Sequence, residues 1–178
     1  MNSSSDASGM EALGLVEAGE CPFRGRGTAV DRYATGFFSK KAELADLVCA
    51  EWAVLSERHG VIDPRAEVEG VDRAFGELEP AARARWAMDV VAEVASRVRK
   101  HEYDRVVVLA DRPMREALKD RGGLVSRASA AGAETVEPLA GIGGRERQER
   151  WLDEQLSIRA DAADPTAADL EAGPDGTP

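Results

Sequence analysis

The segment Tyr103-Asp-Arg-Val-Val-Val-Leu-Ala110 does most to fix what this chain can fold into. Consecutive valines followed by leucine place apolar side chains on both sides of an extended strand. Such a run is stable where both faces of the strand are covered, in the middle of a parallel sheet flanked by helices. The residues before it agree with this. Pro80 suits the first turn of a helix. From Ala81 to His101, Trp86, Val90, Val91, Val94, Ala95 and Val98 recur at three- and four-residue spacing, the pattern of one buried helix face.

The rest of the chain repeats the alternation. Leu13–Val16 predicts a short strand, residues 37–50 a helix, and Trp52–Ser56 a second buried strand that breaks into the polar turn Ser56–Gly60. A long loop is expected from Gly60 to Leu78, of a length usually reserved for function unless it hides a short element. Asp111 is placed to cap a short helix that carries Pro113 in its first turn and ends near Gly122-Gly123. One or two helical turns are expected over 124–131, a last edge strand over Thr135–Leu139, and a final helix from Arg145 to Ile158. The expected fold is a single three-layer, Rossmann-like α/β domain over residues 12–158, with a mainly parallel four-stranded sheet and helices on both faces. Residues 1–11 and the acidic segment 159–178 are too poor in large apolar side chains to order themselves, and are expected to be disordered.

Charge narrows the range of partners. The net charge is −10, and only four of the 23 basic residues are lysines. That balance points to a GC-rich genome and a salt-loving cell. It disfavours nucleic acid as a partner, since phosphate is repelled. No apolar run approaches the length of a membrane span and the first residues lack a signal-peptide core, so a cytoplasmic, membrane-free protein is expected. Cys21 and Cys49 have neither zinc-site nor disulfide spacing and read as free thiols. Nothing here specifies a cofactor or an oligomeric state.

Each polar or glycine-rich cluster directly follows a predicted strand: 18–20, 56–59, 111–112 and 141–145. Parallel strands would gather them on one carboxyl edge, where open α/β sheets bind ligands. Ser56 and His59 there could act as nucleophile and base, hydrogen-bond a ligand, or simply end a strand and form a turn. Gly19, Gly141 and Gly143 would let backbone amides approach the ligand, Arg58 and Arg145 would neutralise its charge, and Asp63 would begin a covering loop. The turn at 141–144 matches neither the dinucleotide fingerprint nor the P-loop. Arg24-Gly-Arg-Gly27 reads equally as an anion clamp or a surface loop. With two histidines, a His-based metal site is not expected, and Asp63, Asp72 and Asp111 are the only carboxylate set that could be imagined for Mg²⁺.

Several pieces carry a resemblance in their order: Leu15–Glu20, Asp31–Lys41, Trp52–Pro64, Val106–Ala110 and Pro138–Gly144. They resemble an uncharacterised α/β family of archaea, bacteria and phages with the pattern V-S-C-G-K-x-K, L-Y-x-S-x-x-F-x-K, L-S-A-K-H/Y-G-L-x-D-P, V-x-V-L-A-G and P-L-x-G-x-G-x-G. At a distance that family is similar to the YaaA peroxide-stress proteins and to the lysine-transferring domain of archaeosine synthase. The resemblance implies matching roles for Gly19, Tyr33, Phe38, Lys40, Ser56, His59, Gly60, Asp63, Pro64, Gly141 and Gly143. The first motif departs from the pattern: Ala18 stands at the family's Cys and Glu20 at its first Lys. The expected function is binding of a nucleotide, nucleobase or other anionic ligand at the carboxyl edge, linked to nucleic-acid modification or stress, with catalysis left open. The alternatives are a non-catalytic interaction module and a DNA-binding accessory protein.

Overall fold

The computed structural model describes residues 11–21, 24–120 and 122–163; most of the two expected disordered ends lies outside these. The elements are β1 (Ala12–Glu17), β2 (Arg26–Thr28), α1 (Ala29–Arg32), α2 (Gly36–Val48), β3 (Glu51–Ser56), β4 (Gly60–Ile62), β5 (Glu67–Glu69), α3 (Pro80–His101), β6 (Arg105–Leu109), α4 (Arg112–Lys119), α5 (Leu124–Ala130), β7 (Glu134–Val136) and α6 (Arg145–Ala163). The main sheet runs β4-β3-β1-β6-β7. β1 pairs in parallel with both β3 and β6, and β6 in parallel with β7. The sheet is therefore mixed and mainly parallel, as the valine run requires.

The sheet has five strands rather than the expected four. The extra one, β4, folds back antiparallel on β3 with Ser56 opposite Gly60 and Val54 opposite Ile62. Residues 57–59 form the tight loop between them, and Gly60 closes it at φ 71°, a left-handed conformation that glycine adopts without a Cβ penalty. The expected 60–78 loop thus holds β4, then β5, which pairs with β2 in a small antiparallel ribbon, then a 3₁₀ turn at Phe75–Glu77. Arg26 lies in that ribbon and faces Glu67 and Glu69. The last strand is shorter than expected because Pro138 cannot extend the ladder, and residues 138–141 turn instead. The last helix runs on to Ala163, so the chain is helical five residues beyond Ile158.

Alternation along the strands divides the core. Leu13, Leu15, Leu55, Val106 and Val108 face Val90, Val94 and Val98 of α3 and Leu118 and Leu124 of α4 and α5. Val16, Val54, Val107 and Leu109 face Phe38, Leu44 and Ala45 of α2 and Leu152 of α6. Gly14 lets α2 approach: a Cβ there would lie 2.8 Å from Cβ of Trp52 and 3.1 Å from Sγ of Cys49. Gly14→Ala is expected to cost about 1–3 kcal/mol, as overpacked cores do, read as a fall in the urea midpoint at constant m value.

Candidate functional site

The chain passes from β1 to β3 through α2, which covers one face. It passes from β3 to β6 through α3, which covers the other. The strand order therefore reverses at β1, and open α/β sheets bind ligands outside the carboxyl ends of the strands at such a point, here β1 and β6. Glu17 ends β1 at this point, and Ala110-Asp111 follows β6.

Two charged side chains from different elements are buried here. Glu17 is 7 % exposed and Lys41 of α2 is 2 % exposed. Lys41 Nζ donates to the Glu17 carbonyl at 2.9 Å. The Asp111 amide donates to Glu17 Oε2 at 2.5 Å. Phe37 lies one turn before Lys41; its ring centroid is 4.6 Å from the Lys41 ammonium and 4.4 Å from the guanidinium of Arg145, the first residue of α6. Burial raises the Glu17 carboxyl above its ordinary range, with Lys41 acting in the opposite sense and Asp111 adding to the rise. Burial lowers the Lys41 ammonium, opposed by Glu17 and Asp111. Two acids and two bases thus lie close together at this edge, and the buried pair has its proton affinities drawn toward each other.

A second buried cluster lies at the end of β3. Ser56 donates to Asp72 Oδ2 at 2.9 Å, and the Tyr33 hydroxyl donates to the same oxygen. Tyr33 Oη lies 3.4 Å from Ser56 Oγ. Ser56 Oγ also accepts from the amides of Arg58 at 3.2 Å and His59 at 3.0 Å, and Trp86 Nε1 donates to its carbonyl at 2.8 Å. Burial, then the hydrogen bond to Asp72, holds the Tyr33 phenol well above its usual range. This arrangement ties the hairpin, the α1 region and the 63–78 excursion together. Ser56 and His59 do not form a hydroxyl–imidazole pair: the Ser56 proton goes to Asp72, and the His59 imidazole Nε2 sits 3.0 Å from the Glu69 carbonyl.

Of the residues singled out by sequence, Asp111 and Arg145 lie beside Glu17 and Lys41, and Tyr33 and Ser56 meet at Asp72. Gly19 (φ 77°) and Gly141 (φ 82°) adopt left-handed backbone conformations, and Gly143 lies just before α6. The others sit apart. Lys40 forms an ion pair with Asp153 of α6 on the outer side of α2. Arg58 is exposed and lies against Gly70. The Asp63 carboxylate accepts from the Arg65 amide at 2.8 Å and so shapes its own turn. Asp63, Asp72 and Asp111 hold different partners, and no group of three or more metal-ligating side chains occurs among the described residues. Sequence reasoning puts Glu17 in the loop after the first strand and Lys41 with Lys40 on the polar face of the helix, but both are buried. The signal was present: Phe37, Phe38, Lys41, Ala42, Leu44 and Ala45 form the buried face of α2, with a lysine in register.

These features define an α/β domain with a mixed, mainly parallel sheet and a buried, charge-balanced cluster at the carboxyl edge where its strand order reverses. The chain belongs to a family of unknown function, DUF6884, whose model matches residues 23–154. That span includes Lys41, Ser56, Asp72, Asp111 and Arg145 and begins after Glu17. No curated protein and no solved structure matches the chain. No helix among the described residues is long and apolar enough to cross a membrane.

Proposed function

We propose that this protein binds a small anionic ligand of the nucleotide or nucleobase kind in the crevice outside β1 and β6. One observation carries the reading: Lys41 and Glu17, two ionisable side chains, are buried together at the end of β1, where burial is costly to their charged forms. The reading treats the sheet as Rossmann-like in the respect that matters for a ligand, the reversal of strand order at β1. The anionic group would rest on the first-turn amides of α6, which lack acceptors within the helix, with the exposed guanidinium of Arg145 beside it. Glu17 and Asp111 would take N–H donors of the ligand, and Lys41 would hold Glu17 in place. Ser56, Tyr33 and Asp72 would keep the neighbouring wall rigid.

The test is a thermal melt of the full chain against nucleosides, nucleoside mono- and diphosphates, free bases and inorganic phosphate. A true ligand at a hundred times its Kd is expected to add about 2.7 kcal/mol of stability. Arg145→Ala should remove most of that gain while leaving the unliganded melt in place. A flat panel would count against the proposal.

A further inference from the structure

The helix layer opposite α2 and α6 carries a feature that takes no part in the crevice. A groove of about 1010 Å³ runs between the first half of α3, α4 and the turn into α5. Its surface is small and apolar, with Ala84, Ala87, Val91 and Ala117 on the helices and Gly122-Gly123 in the turn. Met88 stands in it 74 % exposed. Small side chains of this kind let another backbone come close.

The charges in the groove are unevenly used. Glu116 pairs with Arg112 at 2.6 Å, Asp120 is likewise engaged, and Lys119 is taken by Glu137. Arg83 and Arg127 remain: neither has an ionic partner among the described residues, and Arg83 Nε is buried with no acceptor. On a chain of net charge −10, two uncompensated guanidiniums bordering an apolar channel stand out. A buried donor without an acceptor is a cost that a partner's carboxylate would remove.

We infer that this groove docks an acidic amphipathic helix of a partner protein. The α3 wall from Pro80 to Ala92 is about 18 Å long, which suits roughly twelve residues, or three turns, of a bound helix. Apolar residues at i, i+4 and i+7 fill the channel beside Met88, and acidic residues on the flanks meet Arg83 and Arg127.

The probe is a fluorescein-labelled, stapled 15-residue helix with leucines on one face and glutamates on both flanks, titrated against the full chain by fluorescence anisotropy. Saturable binding is expected. Met88→Asp and the double variant Arg83→Glu/Arg127→Glu should each weaken it by about tenfold or more, all three positions being at or near the surface and each variant checked for an unchanged melt. The double variant should regain affinity for the same peptide with lysine flanks. Absence of saturable binding, or binding that neither variant alters, overturns the inference. So does a dimer of the chain that Met88→Asp dissolves, or binding to phosphatidylglycerol vesicles that the same variants abolish, since the occupant is then a second copy or a lipid surface.

Discussion

Replacing Lys41 with Met is expected to lower the unfolding free energy by about 3 kcal/mol at neutral pH, the scale of breaking a buried charge pair. The loss comes from Glu17, which keeps its burial but loses the cation that opposes it. Its carboxyl pKa should therefore rise further, measurable by ¹³C NMR of the side-chain carboxyl. The pH dependence follows from the directions of the two shifts. Glu17 binds its proton more tightly folded than unfolded, so its contribution is present below its unfolded value of 4.5 and is lost as pH rises through the folded pKa. The Lys41 pKa is lowered, so its contribution is present above its unfolded value of 10.5 and is lost as pH falls through the folded pKa. Above the folded Glu17 pKa and below the folded Lys41 pKa each ionised group carries the cost of burial, and their attraction opposes it. Lys41→Met should consequently be most damaging near neutrality and least damaging below about pH 4, where Glu17 is protonated in either protein. Adding Glu17→Gln to Lys41→Met should restore more than half of the loss in urea denaturation. Equal stabilities of the single and double variants would show that the two groups do not act as a pair.

Asp72→Ala is the second large effect, also about 3 kcal/mol, because it strands the buried hydroxyls of Tyr33 and Ser56 together. Ser56→Ala should cost less, about 1 kcal/mol, since it removes one donor and leaves Asp72 with the Tyr33 hydroxyl. In the Asp72→Ala background, Ser56→Ala should cost less than it does alone, the remainder being the Arg58 and His59 amides that lose their acceptor. Chemical denaturation of the four proteins measures this coupling, and additive losses would mean that Asp72 does not organise the cluster.

The parallel sheet was legible because Val106–Leu109 and the face of α3 leave few alternatives, and those elements lie within two residues of where the periodicity puts them. β4 was not, because Gly-Val-Ile is too short to show a period and its pairing rests on the turn closed by Gly60. That the groups following β1 and β6 share one carboxyl edge followed from topology. Its chemistry did not, because a lysine one position along a helix changes from solvent to core: Lys40 reaches Asp153 outside, and Lys41 reaches Glu17 inside. Glu17 reads from sequence as the first residue of the polar stretch after the strand Leu13–Val16, and only the meeting of β1, β6 and α2 makes it a buried acid. Ser56 and His59 follow one another as a motif would, yet the hairpin gives each a different partner.

The most direct test of the proposed ligand site is an amide ¹H–¹⁵N titration of the full chain with whichever ligand of the panel raises its melt most. Saturable shifts confined to Ala18–Glu20, Asp111 and Gly141–Arg145, and lost in Arg145→Ala, are the expected result. Shifts mapping to the α3–α4 groove instead, or no saturable shift at millimolar ligand, would contradict a binding site at the carboxyl edge of β1 and β6.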